Sequence, residues 1–433
     1  MKALKIALAI FAVLILTPMV LLEALSLYSR SHWEAIEAKE TQERTAAVAA
    51  LPESARDCVG RQKNRPSAWD IGDEKYRAFL TEWLASCERE SRADDAIPAV
   101  GLALADAYFA ADRRRESADT LRTLAATGHT EALLEIYERH RSFEQGDLDR
   151  EQIIKAGEAG ESLRKAAEAG LPKAMQRYAI NLDQGFIIKR DVDAAARWME
   201  ATYKQPSKGT TQADVVVSTA RMLTEAADPE KRARGVRILE PIKRPDAKAY
   251  FAIAIRKDDP MRARALFEET LSAWPGISLA PLADMLIRGE GGPKDERRAL
   301  RLLQSYSNPS APSSINEALG KLHAEGRLMP RDPQKAYELM SGAAQWSVDK
   351  RIAMGRFVTE NPTVRVERPK AMLYDLTRSA ELGEPGAMPA LIGLKLSSNA
   401  QFADKAGGCR LAAQAAKDGD DEAKKFLAEC PAN

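Results

Sequence analysis

The sequence predicts an all-α fold, an α-solenoid of stacked two-helix repeats behind an N-terminal membrane segment. Three observations predict it. A short phrase recurs: Asp191-Val-Asp-Ala-Ala195, Asp228-Pro-Glu-Lys-Arg-Ala233, Asp259-Pro-Met-Arg-Ala263, Asp295-Glu-Arg-Arg-Ala299, Asp332-Pro-Gln-Lys-Ala336 and Glu367-Arg-Pro-Lys-Ala371. Its openings are 37, 31, 36, 37 and 35 residues apart, a period typical of helical-hairpin arrays. Large apolar residues at helical spacing follow each phrase, and breakers separate the runs.

Each phrase suits the start of a second helix. An Asp oxygen can accept the unpaired N–H groups of a first turn, and Pro at the first helical position has no N–H to lose. The first helices of the hairpins are then predicted over Lys173–Gln184, Thr211–Ala227, Ala247–Lys257, Leu279–Arg288, Ile315–Glu325 and Val348–Glu360. Ala195, Ala263, Ala299, Ala336 and Ala371 are small enough for two helix backbones to approach closely. Further helices are expected over Asp73–Glu88, Ala99–Ala110, Glu116–Thr127, Glu131–Glu138 and Met388–Leu396, and in a last hairpin from Gly408 to Cys430.

At these positions the chain resembles the Sel-one-like repeat, a relative of the tetratricopeptide repeat. The resemblance rests on Ala166-Ala-Glu-Ala-Gly170-Leu-Pro-Lys-Ala174 with Tyr178, Gly185, Lys189-Arg-Asp191, Ala195 and Trp198. Gly289, Gly292, Asp295 and Ala299 continue it, as do His323, Gly326, Asp332, Ala336 and Ser379-Ala-Glu-Leu-Gly383. It implies a right-handed solenoid with a concave groove. The repeats are degenerate: Gly185-Phe-Ile-Ile stands where the family has a Gly-x-Gly-Val turn, and the Asp228 and Asp259 units lack the glycine loop.

Residues 1–28 carry Lys2 and Lys5 and then an apolar run from Ile6 to Leu22. This reads as a signal anchor or a cleaved signal peptide. Ala24-Leu-Ser26 is a poor cleavage site, which favours the anchor. The two lysines direct the body outward, to an inner-membrane-anchored periplasmic location or, after cleavage, to the free periplasm. Residues 29–50, with His32 and Trp33, read as a juxtamembrane helix or stalk. Residues 51–94 read as a disulfide-stapled cap and 95–433 as the repeat solenoid.

The four cysteines form two local pairs, Cys58 with Cys87 and Cys409 with Cys430, which fits an oxidising compartment. A bridge closing about 20 to 30 residues is worth roughly 3–4 kcal/mol in the chain-entropy account. Terminal repeats lack a neighbour on one side, so such staples have a physical use.

The remaining sequence excludes more than it assigns. Lys and Arg total 64 against 63 Asp and Glu, so no basic stripe points to nucleic acid. The clusters Arg113–Arg115 and Lys231–Arg237 read as solvated helix faces. His32, His129, His140 and His323 have no metal-pair spacing, and no metal site is expected. Gly289-Glu-Gly-Gly-Pro-Lys294 lacks a phosphate-loop ending and reads as an inter-helix turn. No Gly-x-Ser-x-Gly elbow is present. No catalytic residue and no cofactor are therefore expected. The expected function is a non-enzymatic periplasmic scaffold holding envelope proteins or peptides in the groove. Through the resemblance, exopolysaccharide production and export or envelope signalling are implied. The alternative is a glycan-binding accessory, or an enzyme acting on the envelope. Trp198, Tyr203, Tyr250, Trp274, Tyr306, Trp346 and Tyr374 are candidates for stacking on sugars.

Overall fold

The computed structural model describes residues 42, 45–46, 48–92, 97–142, 153–185, 187–207, 209–307, 311–344 and 347–430. Among them every regular element is a helix. No helix of the described residues is long and apolar enough to cross a membrane. The N-terminal apolar run, His32 and Trp33 lie outside the described residues. The chain divides into two compact units, Met1–Ala132 and Leu133–Asn433.

The first unit contains α1 (Glu53–Lys63), α2 (Ala68–Ile71), α3 (Asp73–Glu90), α4 (Pro98–Ala110) and α5 (Arg114–Ala126). Helices α1, α3 and α4 close over Val59, Trp83, Val100 and Leu104. Cys58 and Cys87 are joined in this core and fully buried. The Trp83 indole Nε1 donates to the Cys58 carbonyl at 3.1 Å. The Glu90 carboxylate accepts from the Cys58 N–H at 3.1 Å. Burial pushes the Glu90 carboxyl above its ordinary range despite that hydrogen bond.

The division falls just inside α6 (Thr130–Ser142). The second unit continues with α7 (Ala156–Glu168), α8 (Pro172–Gln184), α9 (Val192–Ala201), α10 (Gln212–Thr224), α11 (Pro229–Leu239), α12 (Pro245–Ile255), α13 (Pro260–Thr270) and α14 (Pro275–Arg288). It goes on through α15 (Glu296–Tyr306), α16 (Ser313–Glu325), α17 (Pro333–Ala344), α18 (Val348–Glu360), α19 (Pro369–Glu381), α20 (Ala387–Leu396), α21 (Lys405–Lys417) and α22 (Asp421–Phe426). Consecutive helices pack as hairpins, α8 on α9, α10 on α11 and so on to α18 on α19. Pro172, Pro229, Pro245, Pro260, Pro275, Pro333 and Pro369 each open a helix, where the missing N–H leaves no bond unmade.

The recurrent aspartates cap second helices. The side chains of Asp191, Asp259, Asp295 and Asp332 accept from the N–H groups of Ala194, Arg262, Arg298 and Lys335. Asp228 accepts from Glu230. In three repeats a left-handed glycine ends the first helix: Gly185, Gly289 and Gly326, at φ 67°, 73° and 67°. The aspartate that follows then sends its own N–H back to Leu182, Leu286 or His323 at 2.9 to 3.0 Å. Turn and cap are thus one hydrogen-bonded unit. Ala195, Ala263, Ala299 and Ala336 are all 0% exposed. A Cβ on Gly320 would stand 3.0 Å from the Ala336 carbonyl oxygen, so the α16–α17 crossing is at backbone contact. One apolar cluster runs from Val217 on α10 to Leu322 on α16, which is the spine of the stack. Cys409 and Cys430 are joined across the last hairpin.

Candidate functional site

The stack curls on itself. The turn after α8, Ile187 to Arg190, reaches α18, α19 and the turn before α20. The Arg190 main-chain N–H donates to Glu384 Oε1 at 2.6 Å, and its Nη1 pairs with Asp349 at 2.9 Å. Arg190 also bonds the Asp183 carbonyl at 2.9 Å and Glu225 at 3.0 Å. Arg378 Nη2 donates to the Ile187 carbonyl at 3.4 Å. Local turn chemistry sets both sides. Gly185 in the left-handed region turns the chain out of α8, and Gly383 at φ 69° turns it out of α19 to present Glu384, which is only 6% exposed. A Cβ on Gly185 would stand 2.8 Å from Val348 Cγ1, so the two sides meet without spare room.

Behind this seam lies a cavity of about 200 Å³. His140 from α6 and Ile187 from the turn border it on one side. Tyr337, Ser341 and Ala344 from α17 and Arg351 and Met354 from α18 border it on another. Glu367 and Arg368, with Ala371, Met372, Tyr374, Asp375, Leu376 and Arg378 of α19, complete the described wall. Ala371 is the instructive member. Ala195, Ala263, Ala299 and Ala336 of the series are fully buried at helix crossings, whereas Ala233 is exposed and Ala371 is half-buried beside open space. His140 Nδ1 lies 2.9 Å from the Ile154 carbonyl, which can only accept, so Nδ1 carries the proton. Arg351 is buried, 8% exposed, and Arg378 Nε has no hydrogen-bond partner among the described residues.

A second network supports the seam. Arg221 on α10 pairs with Asp183 at 2.5 Å and Glu225 at 3.0 Å. Burial works against its charge, but these carboxylates more than compensate and its pKa is raised. Asp183–Arg221–Glu225–Arg190–Asp349 is therefore a continuous alternating chain of charges.

The structure places the residues singled out from sequence as follows. No group of His, Cys, Asp and Glu among the described residues could hold a metal ion. His129 Nδ1 accepts from the Ala132 N–H at the start of α6. The Gly289–Pro293 turn is packed, since a Cβ on Gly291 would meet the Pro260 carbonyl oxygen at 2.2 Å. Of the basic clusters, Arg113 pairs with Glu88 and Glu116, Lys231 with Asp193 and Arg234 with Glu200. Among the aromatic candidates, Trp198 stands edge-on to Tyr178 at 5.3 Å, and Tyr250 and Tyr306 pack on the core. Tyr374 lines the cavity. Tyr203 and Trp274 are 44% and 45% exposed, and Trp346 lies outside the described residues. Sequence reasoning missed the seam. Its signal was Ile187 and Ile188 in a turn where the repeat family places Gly and Val, because apolar residues in a turn need a cover.

Fold and site together define an α-helical repeat protein whose array folds back to enclose a small charged cavity. Residues 172–207, 278–305 and 317–345 match the family described as Sel1 repeat, so the chain carries three Sel1 repeats. Sel1 repeats are protein-interaction modules. Among solved structures the chain is similar to a protective antigen of uropathogenic Escherichia coli displaying an SLR fold, at 17% identity and a TM-score of 0.35, over 79% of this chain and 73% of that one. It is also similar to a Sel1 repeat protein from Oxalobacter formigenes, at 18% identity and a TM-score of 0.33, over 72% and 89%. No curated protein matches the chain.

Proposed function

We propose that the chain is a non-catalytic scaffold of the bacterial envelope, with a periplasmic body that holds other proteins or peptides along its repeat array. The observation that carries this reading is the set of three Sel1 repeats within one continuous stack of capped hairpins. Such stacks present a long surface of side chains on a rigid frame, and binding is distributed over several repeats. Two features support the location. The bridges Cys58–Cys87 and Cys409–Cys430 belong to an oxidising compartment, and the apolar run Ile6–Leu22 behind Lys2 and Lys5 has the composition of an export signal or anchor. Exopolysaccharide production and export, or envelope signalling, is the process in which we place it, by analogy with periplasmic repeat proteins.

Crosslinking in intact cells, followed by mass spectrometry, tests the partner class. Recovery of envelope assembly or sensor proteins supports the reading. Recovery of glycan instead would move the function to the accessory alternative, for which Tyr203 and Trp274 are the open stacking faces. Turnover of a small substrate by the pure chain, lost on changing one carboxylate or histidine, would make it an enzyme. A phosphatase fused after Asn433 is expected to be active in a bacterial host; activity only of a cytoplasmic reporter would overturn the location.

A further inference from the structure

We propose that the Arg190 seam is a latch: it opens and shuts as a unit, and the array passes between a closed turn and a more extended one with its helices kept. The helices on the two sides of the seam pack on their chain neighbours, and no extensive helix–helix packing crosses it. What crosses it is one turn. Arg190 donates its main-chain N–H to Glu384 and its Nη1 to Asp349. The Ile187 carbonyl accepts from Arg378 at 3.4 Å, which is long for a hydrogen bond. The apolar clusters that flank the seam, one centred on α8 to α10 and one on α18 to α20, share no residue. The two sides also leave the cavity of about 200 Å³ between them, so dispersion contacts are missing where a packed interface would have them. Neighbouring repeats are joined differently, through the continuous cluster from Val217 to Leu322. The seam is therefore the plane along which the array parts with the smallest loss of buried apolar contact.

The charges are placed so that opening strands none of them. Arg190 bonds the Asp183 carbonyl and Glu225 on its own side, and these stay with it. Arg378 keeps Glu381, one helical turn away on α19. Asp349 and Glu384 return to water, where a carboxylate is well solvated. The bonds that are given up differ in kind. In the Arg190–Asp349 pair the side chains are 28% and 67% exposed, so dissolved salt screens it, whereas Glu384 is buried and its bond is screened little. Salt should therefore bias the latch towards the open form. Opening moves the turn after α8 away from α18 and bares the rim of α8 and α10 around Asp183 and Glu225. The use of that motion, admitting a partner to this face, rests on the scaffold reading. The latch itself is measured on the chain alone, so either can fail without the other.

All four cysteines are paired, so nitroxides placed through Arg197→Cys and Ala353→Cys are the only labels. Both sites are exposed, on α9 and α18. Pulsed dipolar spectroscopy of the labelled full-length chain in about 0.1 M salt should give mainly one distance. At about 1 M salt the screening length falls from about 10 Å to about 3 Å, and a second, longer distance should grow at the expense of the first. Asp349→Lys sets a cation against Arg190 and should raise the long-to-short ratio about tenfold at the lower salt, the scale of one exposed ion pair turned into a repulsion. Glu268→Ala is the control. It removes an ion pair with Arg298 of comparable exposure inside the array, between α13 and α15, and should leave the ratio unchanged. Circular dichroism should show the same helix content throughout. If Asp349→Lys misfolds, the salt series on the labelled chain decides. A single distance at both salt concentrations, a longer distance that appears only with loss of helix, or an equal response to Glu268→Ala would overturn the proposal.

Discussion

The main-chain N–H of Arg190 donates to the carboxylate of Glu384 at 2.6 Å, across 194 residues of sequence. This bond joins a turn early in the repeat array to a turn five repeats later. Both turns are fixed by left-handed glycines, so the bond costs little additional ordering. Without the Glu384 side chain the Arg190 N–H loses its acceptor. We expect Glu384→Ala to destabilise the array by about 1–3 kcal/mol, and Glu384→Gln, which keeps an oxygen there, to do so by less. Amide exchange reads the effect directly. Residues 187–190 should exchange faster in Glu384→Ala while the α12–α15 core keeps its protection. Unchanged exchange there would show that the seam contributes no stability.

Gly185 tests the same seam by sterics. Its φ of 67° makes alanine costly by about 1–2 kcal/mol, and an added Cβ would stand 2.8 Å from Val348. Gly170 has φ 84° and nothing within 4 Å of a Cβ. Gly170→Ala therefore measures backbone strain alone, and Gly185→Ala adds overpacking of roughly 1–3 kcal/mol. Val348→Ala should recover part of the loss in the Gly185→Ala background and none in the Gly170→Ala background. Equal losses from the two glycine substitutions would place the turn clear of α18.

The local half of this fold was legible and the long-range half was not. Asp191, Asp259, Asp295 and Asp332 announce helix starts because capping acts within three residues, and the structure finds each of them bonded as a cap. The buried alanines follow from the same register. Curvature of the stack is different. It accumulates from small rotations at every helix crossing, and no single residue encodes where residue 187 will land. Glu384 reads in sequence only as part of a junction after Gly383. Even the wall of the cavity was half-visible, since Ala371 continues the alanine series, but nothing in its phrase says that the facing helix stands back.

The alanine series itself yields a packing prediction. Ala336 lies in the α16–α17 crossing, where Gly320 already meets its carbonyl oxygen. Ala336→Leu and Ala299→Leu should each destabilise by about 1–3 kcal/mol through overpacking. Arg297 is exposed on the same helix as Ala299, and Arg297→Ala should change stability by less than about half a kcal/mol. Denaturant midpoints compare the three. Similar midpoints for Ala299→Leu and Arg297→Ala would contradict the register of the second helices.

The two disulfides should differ in accessibility. Cys58 and Cys87 are fully buried under Trp83, and Cys409 and Cys430 are only partly buried at the end of the stack. A reductant under native conditions should therefore open Cys409–Cys430 first, and Cys58–Cys87 only with opening of the first unit. Mass mapping after timed alkylation follows the order. Loss of either bridge should cost roughly 3–4 kcal/mol on the loop-entropy account for separations of 29 and 21 residues. Simultaneous reduction would show that burial does not protect the first bridge.

Glu317 gives a pH dependence with a defined sign. It sits on α16 between Lys321, at 2.7 Å on its own helix, and Lys350, at 2.7 Å on α18. Burial alone would raise its carboxyl, but the two ammonium groups outweigh burial and the net shift is downward. The folded state therefore binds this proton less readily than the unfolded state. Stability from Glu317 is fully present above the ordinary glutamate value of about 4.5 and is lost as pH falls below it towards the lower folded value. Glu317→Gln should destabilise at pH 7, by about 1 kcal/mol or less for each ion pair removed. The gap between variant and unaltered chain should then narrow as pH falls from 5 to 3, because protonation removes the same charge from the unaltered chain. Urea unfolding of both chains across that range makes the comparison, and all other carboxylates cancel in the difference. A gap that stays constant from pH 7 to pH 3 would mean that Glu317 does not bridge α16 to α18 through its charge.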